Sequence, residues 1–195
     1  MGWIYDQAIH YKRNGKIDVK AEIERKIDSE YRVLKSSVVG SAYYAAVQEP
    51  NGNVSGHVVL FNTDGDGSFN FGTKFMDETM GPCYYDCPKS ILNLLTETDN
   101  EEAKAWRIKC ATRNAQKARE RDKVKRLKNL PLNTVIEFDS PFTSRDGATK
   151  KGDMVQLLKI VYRGKEIWFD GKYKWYPSLI PENFYTSLAN REMRG

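Results

Sequence analysis

The fold class is decided by the sequence YRVLKSSVVGSAYYAAVQEPNGNVSGHVVLFNTDGDGSFNFGTKF of residues 31–75. Val, Tyr and Ala dominate residues 31–47, and no Pro interrupts them, which predicts one long strand. Asn51-Gly52 suits a type I′ hairpin turn, after which residues 54–61 supply the returning strand. A second Gly-rich turn then leads into a third strand at residues 68–75. The segment therefore predicts a three-stranded antiparallel meander.

Helical patterns lie on both sides of this meander. Asp18 is a candidate N-cap for a short amphipathic helix over residues 18–29. Pro88 precedes a second helix, predicted at residues 89–95. A third is predicted over residues 101–128, because its acidic first turn is followed by a long run without Pro or Gly. Strands flanked by helices predict the α+β class.

The C-terminal part has a different sequence pattern, in which short apolar segments are separated by Gly-containing turns. Such close turn spacing predicts a small antiparallel barrel, and a final short helix is expected at residues 181–190. The predicted strands are residues 134–138, 155–162, 166–169 and 173–176. The predicted organisation is an α+β domain (residues 1–100), a basic linker helix (101–130) and a small β-rich module (131–195).

Composition excludes several classes of protein. Hydrophobic residues make up 40% of the 195 residues and charged residues 29%, which permits a folded core. No apolar run approaches the roughly 18 residues that a membrane span needs. Three cysteines suit reduced thiols, and the first residues lack the apolar stretch of a secretory signal. We therefore expect a cytoplasmic protein without membrane contact, disulfide scaffold or cofactor.

The positive charge of the chain is concentrated in one segment. Residues 104–128 contain eleven basic and two acidic residues, a net charge of +9 within a chain whose net charge is +5. The rest of the chain is therefore acidic, at −4. The basic residues are Lys104, Arg107, Lys109, Arg113, Lys117, Arg119, Arg121, Lys123, Lys125, Arg126 and Lys128. We take these eleven side chains as the candidate binding residues.

Three interpretations of this basic helix stay open. Trp106 and Cys110 are four residues apart and Val124 and Leu127 are three apart, so both pairs are expected to pack on a core. Between residues 112 and 123 only Ala115 and Ala118 are apolar, so this stretch is expected to be exposed. Nucleic-acid phosphate is the commonest partner of such a segment, and it is bound without base specificity. An acidic protein surface is a second partner, and a solvated linker helix without a partner is the third interpretation.

Metal sites are matched only in part. Residues 62–67 resemble the start of a calcium loop, but Thr73 stands where a bidentate Glu is expected, so a hairpin turn explains them better. Cys83 and Cys87 have a spacing that zinc sites permit, yet no second Cys/His pair completes four ligands. Cys110, His10 and His57 are the remaining candidates. We therefore expect buried free thiols and no metal.

An enzymatic alternative is a metal-dependent nuclease or nucleotide-processing enzyme. Its carboxylates would be Asp64, Asp66, Asp77 and Glu78, which no recognised motif connects. In the C-terminal module, aromatic residues suit a small core better than a base-stacking surface, although both interpretations stay open. These aromatics are Trp168, Phe169, Tyr173, Trp175 and Tyr176.

Four segments of the first 115 residues form a recognisable set. They are Met1-Gly2-Trp3, SAYYAAV (residues 41–47), MDETMGPCYYDCP (76–88), and LNLLT (92–96) followed by Trp106-Arg107. Together they resemble a family of small proteins of phages, plasmids and other mobile elements of bacteria. That family is taken to include anti-CRISPR inhibitors of type II systems, whose target is an RNA-guided DNA nuclease.

The resemblance implies a function that suits the charge pattern. The expected function is a non-enzymatic anti-CRISPR protein that binds the effector nuclease, its DNA or guide RNA, or both. The nuclease channel is basic and would accept the acidic part of the chain, whereas the basic helix would accept nucleic acid. An accessory DNA- or RNA-binding protein of the mobile element is the alternative.

Overall fold

The computed structural model describes residues 3–64, 66–72, 76–80, 84–131, 133–138, 142–143, 149–150, 154–161, 166–169, 173–181 and 183–186. The chain divides into two compact units, Met1–Ala115 and Gln116–Gly195. Helices occur together with antiparallel sheets, so the predicted α+β class is confirmed. The longest helix includes the point of division between the units.

The first unit is built on one antiparallel sheet with the strand order β1-β5-β4-β3-β2, and β6 also pairs with β4. Its strands are β1 (Trp3–Gln7), β2 (Arg32–Val39), β3 (Ala42–Gln48), β4 (Val54–Thr63), β5 (Ser68–Gly72) and β6 (Met76–Asp77). Its helices are α1 (Val19–Glu24), a 3₁₀ helix (Glu78–Met80), α2 (Lys89–Leu92) and the first part of α3 (Glu101–Lys128).

The prediction of one strand over residues 31–47 is wrong. The chain turns at Gly40, whose φ of 59° lies in the left-handed region, and β2 pairs with β3 as a hairpin. The residues on both sides of Gly40 favour β structure, so the composition does not indicate this turn. The strand β1, which pairs with β5, is not among the predicted strands, because it is only five residues long and its pairing is a tertiary contact.

Two further local predictions need correction. The predicted type I′ turn is wrong, because Gly52 has a positive φ of 88° but Asn51 does not. The Glu49 N–H donates to the Asn53 carbonyl at 2.8 Å, so residues 50–52 form a three-residue loop. Asn51 Oδ1 accepts from the Asn53 N–H at 2.8 Å. The helix predicted over residues 18–29 is shorter, α1, although Asp18 is its N-cap as expected.

Strand β3 is buried on both faces of the sheet, which explains its lack of alternation. Tyr43, Ala45 and Val47 pack into a core that also contains Ile23 of α1. On the opposite face, Ala42, Tyr44 and Ala46 pack into a core with side chains of α2 and α3. A strand covered on both sides has an unbroken apolar sequence, so the pattern of residues 42–47 follows from helices on each face.

A buried carboxylate holds the connection between β1 and α1. Glu22 has no exposed surface; it accepts hydrogen bonds from the Ile9 and His10 N–H groups, and its Oε1 lies 3.0 Å from His10 Nδ1. Arg25 Nε donates to Glu22 at 2.6 Å, and Arg25 Nη2 donates to Asp6 at 2.7 Å. Burial alone would raise the pKa of Glu22, but these donors outweigh it and hold the pKa below its ordinary value.

The second unit contains a five-stranded antiparallel sheet with the order β12-β11-β10-β7-β13 and a separate β8-β9 pair. Its core contains Leu127 of α3 together with Ile136, Phe138, Ile167 and Ile180. The strands are β7 (Val135–Phe138), β8 (Phe142–Thr143), β9 (Thr149–Lys150), β10 (Met154–Val161), β11 (Glu166–Phe169), β12 (Tyr173–Trp175) and β13 (Phe184–Thr186).

The predicted final helix over residues 181–190 is wrong where the chain is described. Phe184, Tyr185 and Thr186 form β13, which pairs with β7, and Phe184 packs against the core. Tertiary pairing therefore decides the structure of this short segment, in which local helix propensity is weak. The described pairings give an open strand path, with β12 and β13 at its ends.

We predict that Gly56→Ala destabilises the protein by about 1–3 kcal/mol, the usual effect of overpacking. A Cβ at Gly56 would lie 3.0 Å from Trp106 Cζ3 and 3.3 Å from Leu95 Cδ1. Urea denaturation measures the effect. Ser55→Ala is the control, because the buried Ser55 Oγ has no hydrogen-bond partner among the described residues and its loss should be nearly neutral. Equal stability of the two variants would contradict the proposed crowding.

We predict that the stability supplied by Glu22 depends on pH. Because its folded pKa lies below the ordinary 4.5, its contribution is present above pH 4.5 and is lost as pH falls through the folded value. Glu22→Gln should therefore be less stable than the wild type at pH 7, and the difference should shrink below pH 4.5. Denaturation at pH 7, 5, 4 and 3 measures this difference. The same substitution at the exposed Glu30 should have little effect, and a Glu22 difference independent of pH would contradict the prediction.

Candidate nucleic-acid interface on helix α3

Helix α3 begins with its N-cap satisfied and one face buried in the first unit. Asn100 Oδ1 accepts from the Ala103 N–H at 2.9 Å. Ala103, Trp106 and Cys110 are buried, and Trp106 Nε1 donates to the Tyr84 carbonyl at 2.9 Å. The expected packing of Trp106 and Cys110 on the core is therefore confirmed. Cations of α3 that lie near this face are next to apolar groups.

Arg107 forms hydrogen bonds with partners in the first unit. Its Nε and Nη2 donate to the two carboxylate oxygens of Glu78 at 2.7 and 2.6 Å, and its Nη1 donates to the Thr96 carbonyl at 2.7 Å. The Glu78 side chain is only 2% exposed and also accepts from the Gly56 N–H at 3.3 Å. Because all three guanidinium nitrogens have partners, we leave Arg107 out of the binding face. No local signal in the sequence connects it with Glu78, 29 residues away.

The other cations of α3 in the first unit have partners that are exposed or half-buried. Lys104 Nζ lies 2.9 Å from Glu101, and Arg113 Nε lies 3.2 Å from Asp86. Lys109 Nζ lies 5.0 Å from the centre of the Tyr85 ring. Such exposed ion pairs and cation–π contacts contribute about 1 kcal/mol or less each, so a stronger ligand could displace them.

Lys123 is the exception to the expected exposure of residues 112–123. Its side chain is buried, and its ammonium donates to the Ile180 carbonyl in the second unit. Half-buried Val124 and buried Leu127 pack on the same core. Lys123 therefore belongs to the packing of the second unit itself, and we leave it out of the binding face. The expected packing of Val124 and Leu127 is confirmed, but nothing in the sequence shows that Lys123 is buried as well.

Arg126 and the two acidic residues of the segment are also engaged locally. Arg126 Nε lies 3.3 Å from Asp122, and its guanidinium lies 5.1 Å from the centre of the Phe184 ring. Glu120 accepts from Gln116 Nε2 at 3.2 Å. Both carboxylates therefore have partners of their own, which limits their neutralisation of the other cations on the helix.

Arg121, Lys125 and Lys128 form an exposed face of α3, named here the outer cations. Their spacing of four and then three residues places them on one side of the helix, within reach of a common ligand. Arg121 Nε donates to the Lys117 carbonyl at 3.2 Å, one turn earlier. Within the described part of the chain, these three side chains form no salt bridge. Arg119 is also exposed, on another side of the helix, and Lys117 is half-buried.

The cysteine groups do not favour a metal site. Cys87 and Cys110 are buried free thiols, as expected, whereas Cys83 lies outside the described residues. Burial raises the pKa of Cys110 to about 12 and also raises that of Cys87. Metal ligation and nucleophilic attack both use the thiolate, which is disfavoured at neutral pH for these two groups.

The carboxylates of the enzymatic alternative are separately engaged. Asp64 Oδ2 accepts from the Ser68 hydroxyl at 3.1 Å, and Asp66 Oδ1 accepts from the Ser68 N–H at 2.9 Å, as expected of a hairpin turn. Glu78 is neutralised by Arg107, and the side chain of Asp77 is not among those described. The described residues contain no group of three or more His, Cys, Asp or Glu side chains able to hold a metal ion.

The hypothesis of base stacking in the C-terminal module rests on side chains outside the described set, apart from half-buried Tyr176. In the described core of that unit, Phe138 and Phe184 pack edge to face with ring centres 6.2 Å apart. Aromatic residues therefore contribute to the core of this small unit, and the prediction for the remaining aromatics stays a prediction.

Comparison with models of protein families, with curated proteins and with solved structures finds no match. No helix among the described residues is both long enough and apolar enough to cross a membrane.

We predict that Arg107→Ala reduces stability by about 3–5 kcal/mol, because it leaves the buried Glu78 carboxylate without its counter-charge. Chemical denaturation measures this effect. The double variant Glu78→Gln, Arg107→Met should recover part of the loss, since no unpaired charge then remains. Arg121→Ala is the matched control and should change stability by less than about 0.5 kcal/mol. A similar small effect at both arginines would contradict the structural role of Arg107.

Proposed function

We propose that this chain is a non-enzymatic anti-defence protein of a mobile genetic element, which inhibits a type II RNA-guided DNA nuclease. Inhibition would occur by binding the nuclease, its nucleic acid, or both, with the outer cations of α3 as contact residues. The observation that supports binding is their exposure on one helix face without carboxylate partners among the described residues. The resemblance of the first 115 residues supports the choice of target.

The chemistry of the outer cations favours phosphate as their ligand. Guanidinium and ammonium groups neutralise phosphates and release condensed counterions, which makes the affinity salt-dependent. Three contacts on duplex DNA correspond to a fall of about 2.7 in log affinity per log unit of salt. Such contacts would hold the protein on DNA or guide RNA without reading sequence.

A second route to inhibition uses the acidic remainder of the chain. Type II nucleases bind nucleic acid in a basic channel and recognise a short DNA motif with basic side chains. Carboxylates of this chain could form ion pairs with those basic side chains.

We also propose that the C-terminal module closes as a small barrel and that its aromatic side chains stack on bases.

The alternative function is an accessory DNA- or RNA-binding protein of the mobile element. The outer cations favour it equally, because phosphate binding alone does not require a nuclease target. The two functions differ in one outcome. An inhibitor reduces target cutting by a guide-loaded nuclease, whereas an accessory protein binds DNA and leaves cutting unchanged.

We predict that neutralising the outer cations weakens DNA binding and its dependence on salt. In gel-shift titrations at 0.05–0.3 M salt, Arg121→Ala, Lys125→Ala, Lys128→Ala should lower the salt slope on duplex DNA by about 2.7 relative to the wild type. The matched control replaces the exposed Arg32, Lys35 and Lys89 of the first unit, with the same loss of three charges. Equal slopes in the two triple variants would contradict a binding role for the outer cations.

The inhibition itself is tested by target cutting with a guide-loaded type II nuclease. The wild type should reduce cutting, and the outer-cation variant should restore it if nucleic-acid contact is the mechanism. Loss of DNA binding with full inhibition would assign inhibition to the acidic remainder of the chain. Unchanged cutting at saturating wild-type protein would favour the accessory function.

A further inference from the structure

A second exposed cationic cluster lies in the first unit, in the turn between β1 and α1. This basic turn comprises residues 11–17 and contains Lys12, Arg13 and Lys16, all of them exposed. No acidic residue occurs from residue 7 to residue 17. Three positive charges within five residues, without a compensating carboxylate in the segment, are a local concentration of charge that the α3 interface does not include.

The basic turn is held in one conformation by its own backbone. Tyr11 and Ile17 form an antiparallel bridge, and the Lys12 N–H donates to the Lys16 carbonyl at 2.8 Å. The Gly15 N–H donates to the Lys12 carbonyl at 2.9 Å. Because these bonds use backbone atoms, the three cationic side chains are not needed to form the turn.

The base of the turn is fixed to the core. The buried Glu22 accepts from the N–H of His10 and lies beside its ring, while the His10 carbonyl accepts from the Asp18 N–H at 2.9 Å. A ligand of the turn would therefore meet cations on an ordered backbone, and less conformational entropy would be lost on binding.

The carboxylates near the turn form hydrogen bonds with other groups. Glu22 pairs with Arg25 at 2.6 Å, and Asp18 Oδ1 accepts from the Ala21 N–H at the start of α1. The exposed Asp66, next to Gly67, accepts from the Ser68 N–H at 2.9 Å. Within the described part of the chain, no carboxylate forms a salt bridge with the cations of the turn. A bound anion would therefore reduce the repulsion among Lys12, Arg13 and Lys16.

An exposed aromatic residue, Tyr11, directly precedes these cations in the sequence. Tyr11 is 51% exposed, and its hydroxyl lies against the backbone of the next turn, where a Cβ at Gly67 would be 2.9 Å away. Cations next to an exposed aromatic ring are the combination that binds single-stranded nucleic acid, with phosphates on the cations and a base on the ring. An acidic peptide would use the cations but would gain little from the ring.

The geometry points to the basic turn as a second binding site, whose ligand is single-stranded nucleic acid. Lys12, Arg13 and Lys16 bind the phosphates, and an unpaired base stacks on Tyr11. The site lies entirely within the first unit and does not require the outer cations of α3. It therefore stands or falls independently of the function proposed above.

The test uses the full chain with the outer cations replaced by Ala, so that the turn is measured by itself. The probe is fluorescein-labelled dT20, followed by fluorescence anisotropy at several salt concentrations. Adding Lys12→Ala, Arg13→Ala, Lys16→Ala should lower affinity about 100-fold at 0.1 M salt and reduce the salt slope by about 2. Adding Arg32→Ala, Lys35→Ala, Lys89→Ala is the matched control, and equal losses in both would overturn the site.

Tyr11→Leu separates stacking from charge. It should weaken dT20 binding about fivefold or more and leave the salt slope unchanged, because no phosphate contact is lost. Photo-crosslinking of an oligonucleotide that contains 5-iodouracil should yield a peptide bearing Tyr11. Full affinity of Tyr11→Leu without this crosslink would overturn the base-stacking site, as would equal competition by polyglutamate and unlabelled dT20.

The two proposals fail in distinguishable ways. If replacing the outer cations changes nothing while the turn variant loses dT20 binding, the α3 interface is wrong and the turn site stands. If the turn variant binds like its control while the outer-cation variant loses duplex binding, the turn site is wrong and the α3 interface stands.

Discussion

A buried charge costs free energy unless a partner neutralises it, and this constraint sorts the cations of α3. Arg107 lies beside the core of the first unit, where the buried Glu78 binds it through two hydrogen bonds. Lys123 lies in the second unit, where its buried ammonium donates to a backbone carbonyl. Cations that point away from these cores need no internal partner and stay available to an external anion. One helix therefore combines structural and ligand-facing charges.

The same logic applies to the connection between β1 and α1. Glu22 is fully buried and is satisfied by Arg25 and by the backbone of the segment that leads into the basic turn. Its burial fixes the turn, while the cations of the turn project from the surface. In both units, a buried charged group with fixed partners anchors a surface on which other charges are exposed. These exposed groups are the ones we propose as contacts with phosphate.

The sequence alone was sufficient to predict the features that depend on local sequence pattern. It predicted the α+β class, the Asp18 cap and the packing of Trp106 and Cys110. The turn at Gly40 was missed because β-favouring residues surround it, and β13 was missed because its pairing with β7 is a tertiary contact. The sequence could not show which cations of α3 have internal partners and which are exposed, for the same reason. Arg107 meets a carboxylate 29 residues away, and Lys123 meets a carbonyl 57 residues away.

The most direct measurement of this account is an alanine scan of all eleven cations of α3, with stability and duplex affinity determined for each variant. We expect five of these cations to form two separate groups. Arg107 and Lys123 variants lose stability but, under conditions where they are folded, keep their affinity. Arg121, Lys125 and Lys128 variants lose affinity and keep their stability. An affinity loss spread evenly over all eleven positions, or confined to Arg107 and Lys123, would contradict it.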